Sequence, residues 1–237
     1  MAKRVVLIKH EDSPGDDRAA TWLAENGFEL DWRSPYAGDS LEKPDGGVAG
    51  TVLYGGPHSI PDIGQHPFLA EEARWVADCM RQDLPVLGLC LGGQVIAHAL
   101  GAEVGPGPEG YHEFGYYELF PTEEGRAFLP EAIYVTQAHF HEFQVPAGAV
   151  LLASSELYRN QAMRYGERTY ALQCHPEITI EGFKRWQDAE WAPWGNPGVQ
   201  PREQQDALAA RHDHLQDAWF RAFLDKLFGP RGDRGEA

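Results

Sequence analysis

Two short stretches carry side chains whose types and spacing suit the cleavage of an unactivated C–N bond. The first is Gly88-Leu-Cys90-Leu-Gly-Gly-Gln94, which follows Pro85-Val-Leu. The apolar run 85–89 reads as a short strand covered on both faces of a parallel sheet. The glycines on either side of Cys90 read as an abrupt turn into a helix, where unusual φ/ψ and close backbone approach are needed. The same arrangement, built around serine, makes a nucleophile elbow. It would lift the sulfur to the carboxyl edge of the sheet and set it over a helix N-terminus, whose positive dipole end favours thiolate. A cysteine that only fills space needs no such glycines; Cys79, within a helical pattern, reads as that kind of packing residue.

The second stretch is Gln173-Cys-His175-Pro-Glu177. His175 follows an apolar strand at 170–174, and Pro176 pins the chain behind it. Glu177 lies two positions on, so in an extended segment its side chain points broadly the same way. It can then accept from the imidazole N–H and fix the tautomer. Cys90 as nucleophile, His175 as base and later acid, and Glu177 as orienting carboxylate form a triad for acyl transfer. A tetrahedral oxyanion also needs donors. The N–H of Leu91, the residue after the nucleophile, is the first expected one.

These two motifs, with Tyr54-Gly-Gly-Pro57 and Val135-Thr-Gln-Ala-His139 between them, resemble the class I (triad) glutamine amidotransferases. The likeness runs from about Val5 to Trp186 and is greatest to stand-alone domains similar to the amidotransferase half of GMP synthase. It implies an open, mostly parallel, flavodoxin-like α/β sheet with helices on both faces, and a glutaminase with Gly56 N–H as the second oxyanion donor. It also sets Gly55, Gln94, His139 and Phe140 beside the substrate glutamine, the 137–142 segment running its backbone along it. On composition alone, Tyr54-Gly-Gly-Pro57 reads equally as a β-turn, and Gln94 as an ordinary exposed helix residue. The similar enzymes carry His-Gly-Asp where this chain has His139-Phe140-His141, a change in the wall of the pocket.

Periodicity supplies the elements that must hold these residues. Strands are expected at 4–8, 28–32, 49–54 and 85–89, and helices at 16–26, 66–81 and from the elbow to near Gly101. Strand–helix–strand order implies a parallel sheet. Gly105-Pro-Gly-Pro108 reads as a break. Short strands at 116–120, 132–136, 150–154, 161–165 and 170–173 should add a small antiparallel extension. A helix at 202–227 should pack on the rest through Leu208, His212, Leu215, Trp219, Phe220 and Phe223. The chain is expected to be one amidotransferase-like domain over 1–237, with a core at about 4–186, a C-terminal helical extension at 187–228 and a disordered tail at 229–237.

With 20 Lys plus Arg against 36 Asp plus Glu, the net charge is −16. Such an acidic surface argues against nucleic-acid backbones as partners. No apolar run reaches the ~20 residues that span a bilayer, and the N-terminal run is too short for a signal peptide. Three cysteines without a pairing pattern suit a reducing cytoplasm. No C-x-x-C is present and no metal or cofactor is expected; His212 and His214 face different ways on a helix, and the His10-Glu11-Asp12 cluster reads more as a solvated loop than as a metal or partner site.

Three functions follow. The first is a glutaminase that releases ammonia for a separate synthetase or acceptor protein. The second is a hydrolase of γ-glutamyl amides or peptides with the same triad, motivated by His139-Phe140-His141. The third is a regulatory subunit without catalysis, against which the intact Cys90, His175 and Glu177 speak.

Overall fold

The computed structural model describes residues 3–229; the tail expected to be disordered lies, after Gly229, outside the described residues. In β1 (Arg4–Ile8), Val5 and Leu7 face one side of the sheet and Val6 and Ile8 the other, and all four are buried. That two-residue period, apolar on both faces, is what a central parallel strand requires. The strands that follow are β2 (Glu29–Arg33), β3 (Val48–Leu53), β4 (Val86–Leu89), β5 (Val104–Pro106), β6 (Glu113–Pro121), β7 (Ile133–His139), β8 (His141–Phe143), β9 (Ala149–Ser154), β10 (Ala162–Tyr165) and β11 (Thr169–Leu172). The helices are α1 (Arg18–Glu25), α2 (Pro67–Arg81), α3 (Leu91–Ala99), α4 (Ile180–Gln187) and α5 (Arg202–Phe228).

Nine strands form one mixed sheet in the order β2-β1-β3-β4-β11-β10-β9-β6-β7. Pairing is parallel from β2 through β11 and antiparallel from there to β7. Helices α1 and α5 pack on one face, with Ala19, Leu23, Phe220 and Leu224 against Val5, Leu7 and Val52. Helices α2 and α3 cover the other, with Leu69, Val76, Val95 and Ile96 against Val6, Ile8 and Leu53. The carboxyl ends of β1, β3, β4 and β11 therefore open onto one edge, where open α/β sheets hold their ligands. No helix of the described residues is long and apolar enough to cross a membrane.

Three features depart from the sequence reading. The stretch read as a break at 105–108 contains part of β5, which pairs with β8 as a separate two-stranded antiparallel sheet. Helix α4 has no counterpart in the predicted elements; Thr179 caps it, its hydroxyl accepting from the Gly182 N–H at 3.1 Å. The inward face of α5 also differs from the expected stripe. Leu215 is 45% exposed, while Gln205, Asp213 and Gln216 are buried. These polar side chains sit inside because strand backbone and buried groups partner them: Gln205 Nε2 donates to Phe114 O at 2.8 Å and Thr136 N–H to Gln216 Oε1 at 2.6 Å. The large, fully buried apolar side chains of α5 lie in its second half, while its first half contributes Leu208 and Ala209 to a smaller cluster. Phe220→Ala should cost about 3–5 kcal/mol, whereas Leu215→Ala should change stability by less than about 0.5 kcal/mol; urea unfolding of both variants checks the assignment.

Candidate active site

The elbow is built from β4, α3 and the end of β3. Cys90 sits between β4 and α3 at φ 49° and ψ −108°, a left-handed conformation unusual for a residue with a Cβ. Such a conformation costs on the order of 1–3 kcal/mol and persists only where its surroundings enforce it. Here Cys90 N–H donates to Leu172 O at 2.8 Å and Gly92 N–H to Tyr54 O at 3.1 Å, tying the turn to β11 and β3. A Cβ on Gly92 would lie 2.1 Å from Leu53 O, and one on Gly88 2.4 Å from Gly92 O. No other residue fits this crossing. Cys90 itself is 8% exposed.

His175 arrives from the end of β11, its N–H donating to Thr136 O at 2.8 Å. Its Nδ1 lies 2.7 Å from Glu177 Oε1, with both side chains buried. A carboxylate there takes the Nδ1 proton and leaves Nε2 to the side where Cys90 lies; the thiol itself donates to Ala138 O at 3.9 Å. Gly55 lies against both: a Cβ on it would be 2.6 Å from His175 Cε1 and 3.4 Å from Cys90 Cβ. The indole of Trp186, on α4, meets the imidazole edge-on at 4.8 Å. Burial opposes a charged His175, but Glu177 and the Cys90 sulfur outweigh it and push the imidazole up to about 10. Around the pair, the protein crowding one side of the otherwise exposed Glu11 carboxyl partly desolvates and raises it, against the pull of His175 and His10. Burial likewise pushes Asp17 up to about 6, with the charge of Glu177 adding to the rise.

Gly55, Gly56, Leu91, Gln94, His139 and Phe140, all marked by the sequence, line one cleft of about 750 Å³ together with Cys90, His175 and Glu177. Leu91 begins α3, where the first N–H groups have no intrahelical acceptor. Gln94 is buried, not exposed, and its Nε2 donates to Gln173 Oε1 at 3.3 Å. His139 contributes to the cleft wall, but its ring turns into the protein, with Nε2 2.9 Å from Glu113 Oε2 and Nδ1 3.0 Å from His141 O. Any contact of His139 with a ligand therefore falls to its backbone. Phe140 is largely exposed and stacks on His112 at 4.9 Å.

The expected solvated loop at 10–12 is corrected at its first residue. Glu11 and Asp12 are exposed, but His10 is buried, with Nε2 2.8 Å from the buried Glu72 and Nδ1 3.3 Å from Gly55 O. It braces the Gly55-Gly56 turn. Sequence reasoning missed this pair because Glu72 comes from α2 and nothing local couples the two. It missed Trp186 too, although Phe183 and Trp186 at helical spacing were a signal. Among the described residues, no group of three or more His, Cys, Asp or Glu is arranged to hold a metal ion.

Comparison with known proteins places the chain in a family. The sequence profile of the glutamine amidotransferase class-I family matches residues 21–185. This chain belongs to that family. A glutamine amidotransferase-like protein of Salmonella typhimurium, YfeJ, is 31% identical over 190 residues, 76% of this chain and 78% of the relative. One subunit of the glutamine-hydrolysing GMP synthase of Archaeoglobus fulgidus is 32% identical over 138 residues, 57% of this chain and 70% of the relative. The crystal structure of a glutamine amidotransferase from Thermotoga maritima superimposes with a TM-score of 0.84 at 26% identity, covering 97% of this chain and 100% of that one. Membership in the amidotransferase family implies a glutamine-hydrolysing enzyme.

The His175–Glu177 pair has a pH signature. A histidine raised in the folded state from 6.5 to about 10 contributes stability that is fully present below pH 6.5 and is lost as pH rises through about 10. The stability advantage of the native protein over Glu177→Gln should therefore be greatest near pH 6.5 and narrow toward pH 10, as read by urea unfolding at a series of pH values.

Proposed function

We propose that this chain is a cysteine-nucleophile glutaminase of the amidotransferase family, working through Cys90, His175 and Glu177. The observation that carries the reading is the meeting of the strained Cys90 with the Nε2 side of an imidazole whose Nδ1 is held by a buried carboxylate. The Cys90 sulfur attacks the side-chain amide carbon of glutamine. The oxyanion that forms is held by the N–H groups of Leu91 and Gly56. Protonated His175 gives its Nε2 proton to the departing nitrogen, and ammonia leaves a γ-glutamyl thioester. His175 then takes a proton from water, which cleaves the thioester to glutamate and restores Cys90. Glu177 keeps the ring in the right tautomer throughout. Gln94, the Gly55 backbone and the backbone at 139–140 hold the substrate.

Ammonia passes to a separate acceptor or synthetase protein. The relative that is one subunit of a GMP synthase supports this division of labour. The whole chain acts as one amidotransferase unit, and a cytoplasmic setting fits its three free cysteines. A regulatory role without catalysis is disfavoured, because it leaves the strain at Cys90 without a purpose.

One observation favours a second reading with the same triad. A cleft of about 750 Å³ belongs among pockets of on the order of 300–1,000 Å³ that hold drug-sized ligands, and Phe140 and Trp191 line it with much of their surface exposed. A γ-glutamyl amide with a larger amine would use that room. Purified protein should release ammonia from glutamine, and Cys90→Ala should lower the rate by about 10⁴-fold or more. Glutamine should outperform a panel of γ-glutamyl amides in kcat/KM; the reverse ranking would make the second reading correct, and loss of neither activity in Cys90→Ala would exclude both.

A further inference from the structure

The His-Pro-Glu turn needs an anchor. Pro176 has no N–H, and the carbonyls of residues 176–178 must find donors beside a buried site. One residue supplies them all. The backbone N–H of Arg18 donates to Glu177 O at 2.8 Å, and its Nη1 donates to Pro176 O at 3.1 Å and to Ile178 O. The guanidinium is buried, and its charge is met from α5: Nη2 lies 2.6 Å from Asp213 and Nε 3.1 Å from Asp217. Asp213 Oδ1 in turn accepts from Tyr116 OH at 3.0 Å and from Gln216 Nε2 at 3.2 Å.

Gln216 closes the circuit. Its Nε2 also donates to Thr136 Oγ1 at 3.1 Å and its Oε1 accepts from Thr136 N–H, while Thr136 O accepts from His175 N–H. Helix α5 thus holds the turn from two sides, through Arg18 behind residues 176–178 and through Gln216 and β7 at His175. Neither α5 nor Arg18 lies within the stretch 21–185 that matches the family profile. A buried guanidinium with these partners gives a fixed, planar fork, which a lysine does not reproduce.

We propose that Arg18, held by Asp213 and Asp217 of α5, is a positioning residue for His175 and Glu177. The inference rests on the glutaminase reading. Arg18 is not among the residues lining the cleft, so it acts on the reacting groups through the turn and not on the substrate. A displacement of about 1 Å at the imidazole is enough to cost on the order of 10²-fold in rate.

The test uses the full chain with Arg18→Met, which keeps an unbranched stem without its donors, and Arg18→Lys, which keeps the charge. Arg18→Met should lower kcat for glutamine about 10- to 100-fold and leave KM within about threefold. The alkaline limb of kcat/KM should move to lower pH, because a loosened Glu177 holds the His175 proton less well; Cys90 and Glu11, which face His175, and Asp17, which faces Glu177, are retained in every variant. Arg18→Lys should recover part of both effects. Should Arg18→Met fail to fold, judged by circular dichroism, Asp217→Asn at the half-exposed end of the network carries the same test with a smaller loss of kcat and the same direction of the limb. An unshifted limb in a folded variant, or a loss confined to KM, would overturn the proposal. Iodoacetamide alkylation of Cys90 at neutral pH separates this outcome from failure of the glutaminase reading. It should slow in Arg18→Met even if the parent protein does not act on glutamine, and an unchanged alkylation rate counts against Arg18 alone.

Discussion

The geometry at the carboxyl edge depends on how closely the first turn of α3 can approach the end of β3. Leu53 O stands where a side chain on Gly92 would have to go, and Gly92 O stands where one on Gly88 would. With both positions bare, α3 starts directly over the strand ends, and Cys90 is left to absorb the change of direction in a left-handed backbone. Sheet order does the rest. β4 lies between β3 and β11, so the turn that carries Cys90 has Gly55 and Gly56 on one side and His175 on the other. Parallel neighbours in register end at the same level, which is why residues far apart in sequence share one cleft.

Three buried histidine–carboxylate pairs surround that cleft: His10 with Glu72, His139 with Glu113, and His175 with Glu177. Burying such groups is costly unless their hydrogen bonds are met, and in return each pair fixes a loop. Their chemistry is not equivalent. His10 and His139 spend both ring nitrogens on the protein, on Gly55 O and His141 O besides their carboxylates. His175 spends one on Glu177 and turns the other toward a thiol. Of the three, it alone keeps a ring nitrogen off the protein's own carbonyls and carboxylates, as the proposed mechanism requires.

Much of this was legible in the sequence because the controlling signals are local. The two-residue period of residues 4–8, the glycines around Cys90 and the proline between His175 and Glu177 each dictate backbone within a few positions. Gly55, Gly56 and Gln94 came from family resemblance, since their composition alone fits a turn or an exposed helix. What escaped was set by long-range pairing. His10 looked like a loop residue because its partner Glu72 is on another helix. The buried face of α5 was misread because Gln205, Asp213 and Gln216 are polar, and polarity by itself signals solvent; backbone and side-chain partners from β6, β7, α1, α4 and the loop before α5 make their burial favourable. β5 hid in a Gly/Pro run, where the pairing strand β8 overrides a local tendency to break.

On the proposed mechanism the sulfur of Cys90 becomes covalently joined to the γ-carbonyl of the substrate, with His175 delivering the proton. The most direct measurement is mass spectrometry of the protein quenched in acid during turnover of glutamine, followed by peptide mapping. A γ-glutamyl adduct confined to the peptide that contains Cys90 is the result predicted. Steady ammonia release with no adduct on that peptide, or with the adduct on Cys79 or Cys174, would contradict it.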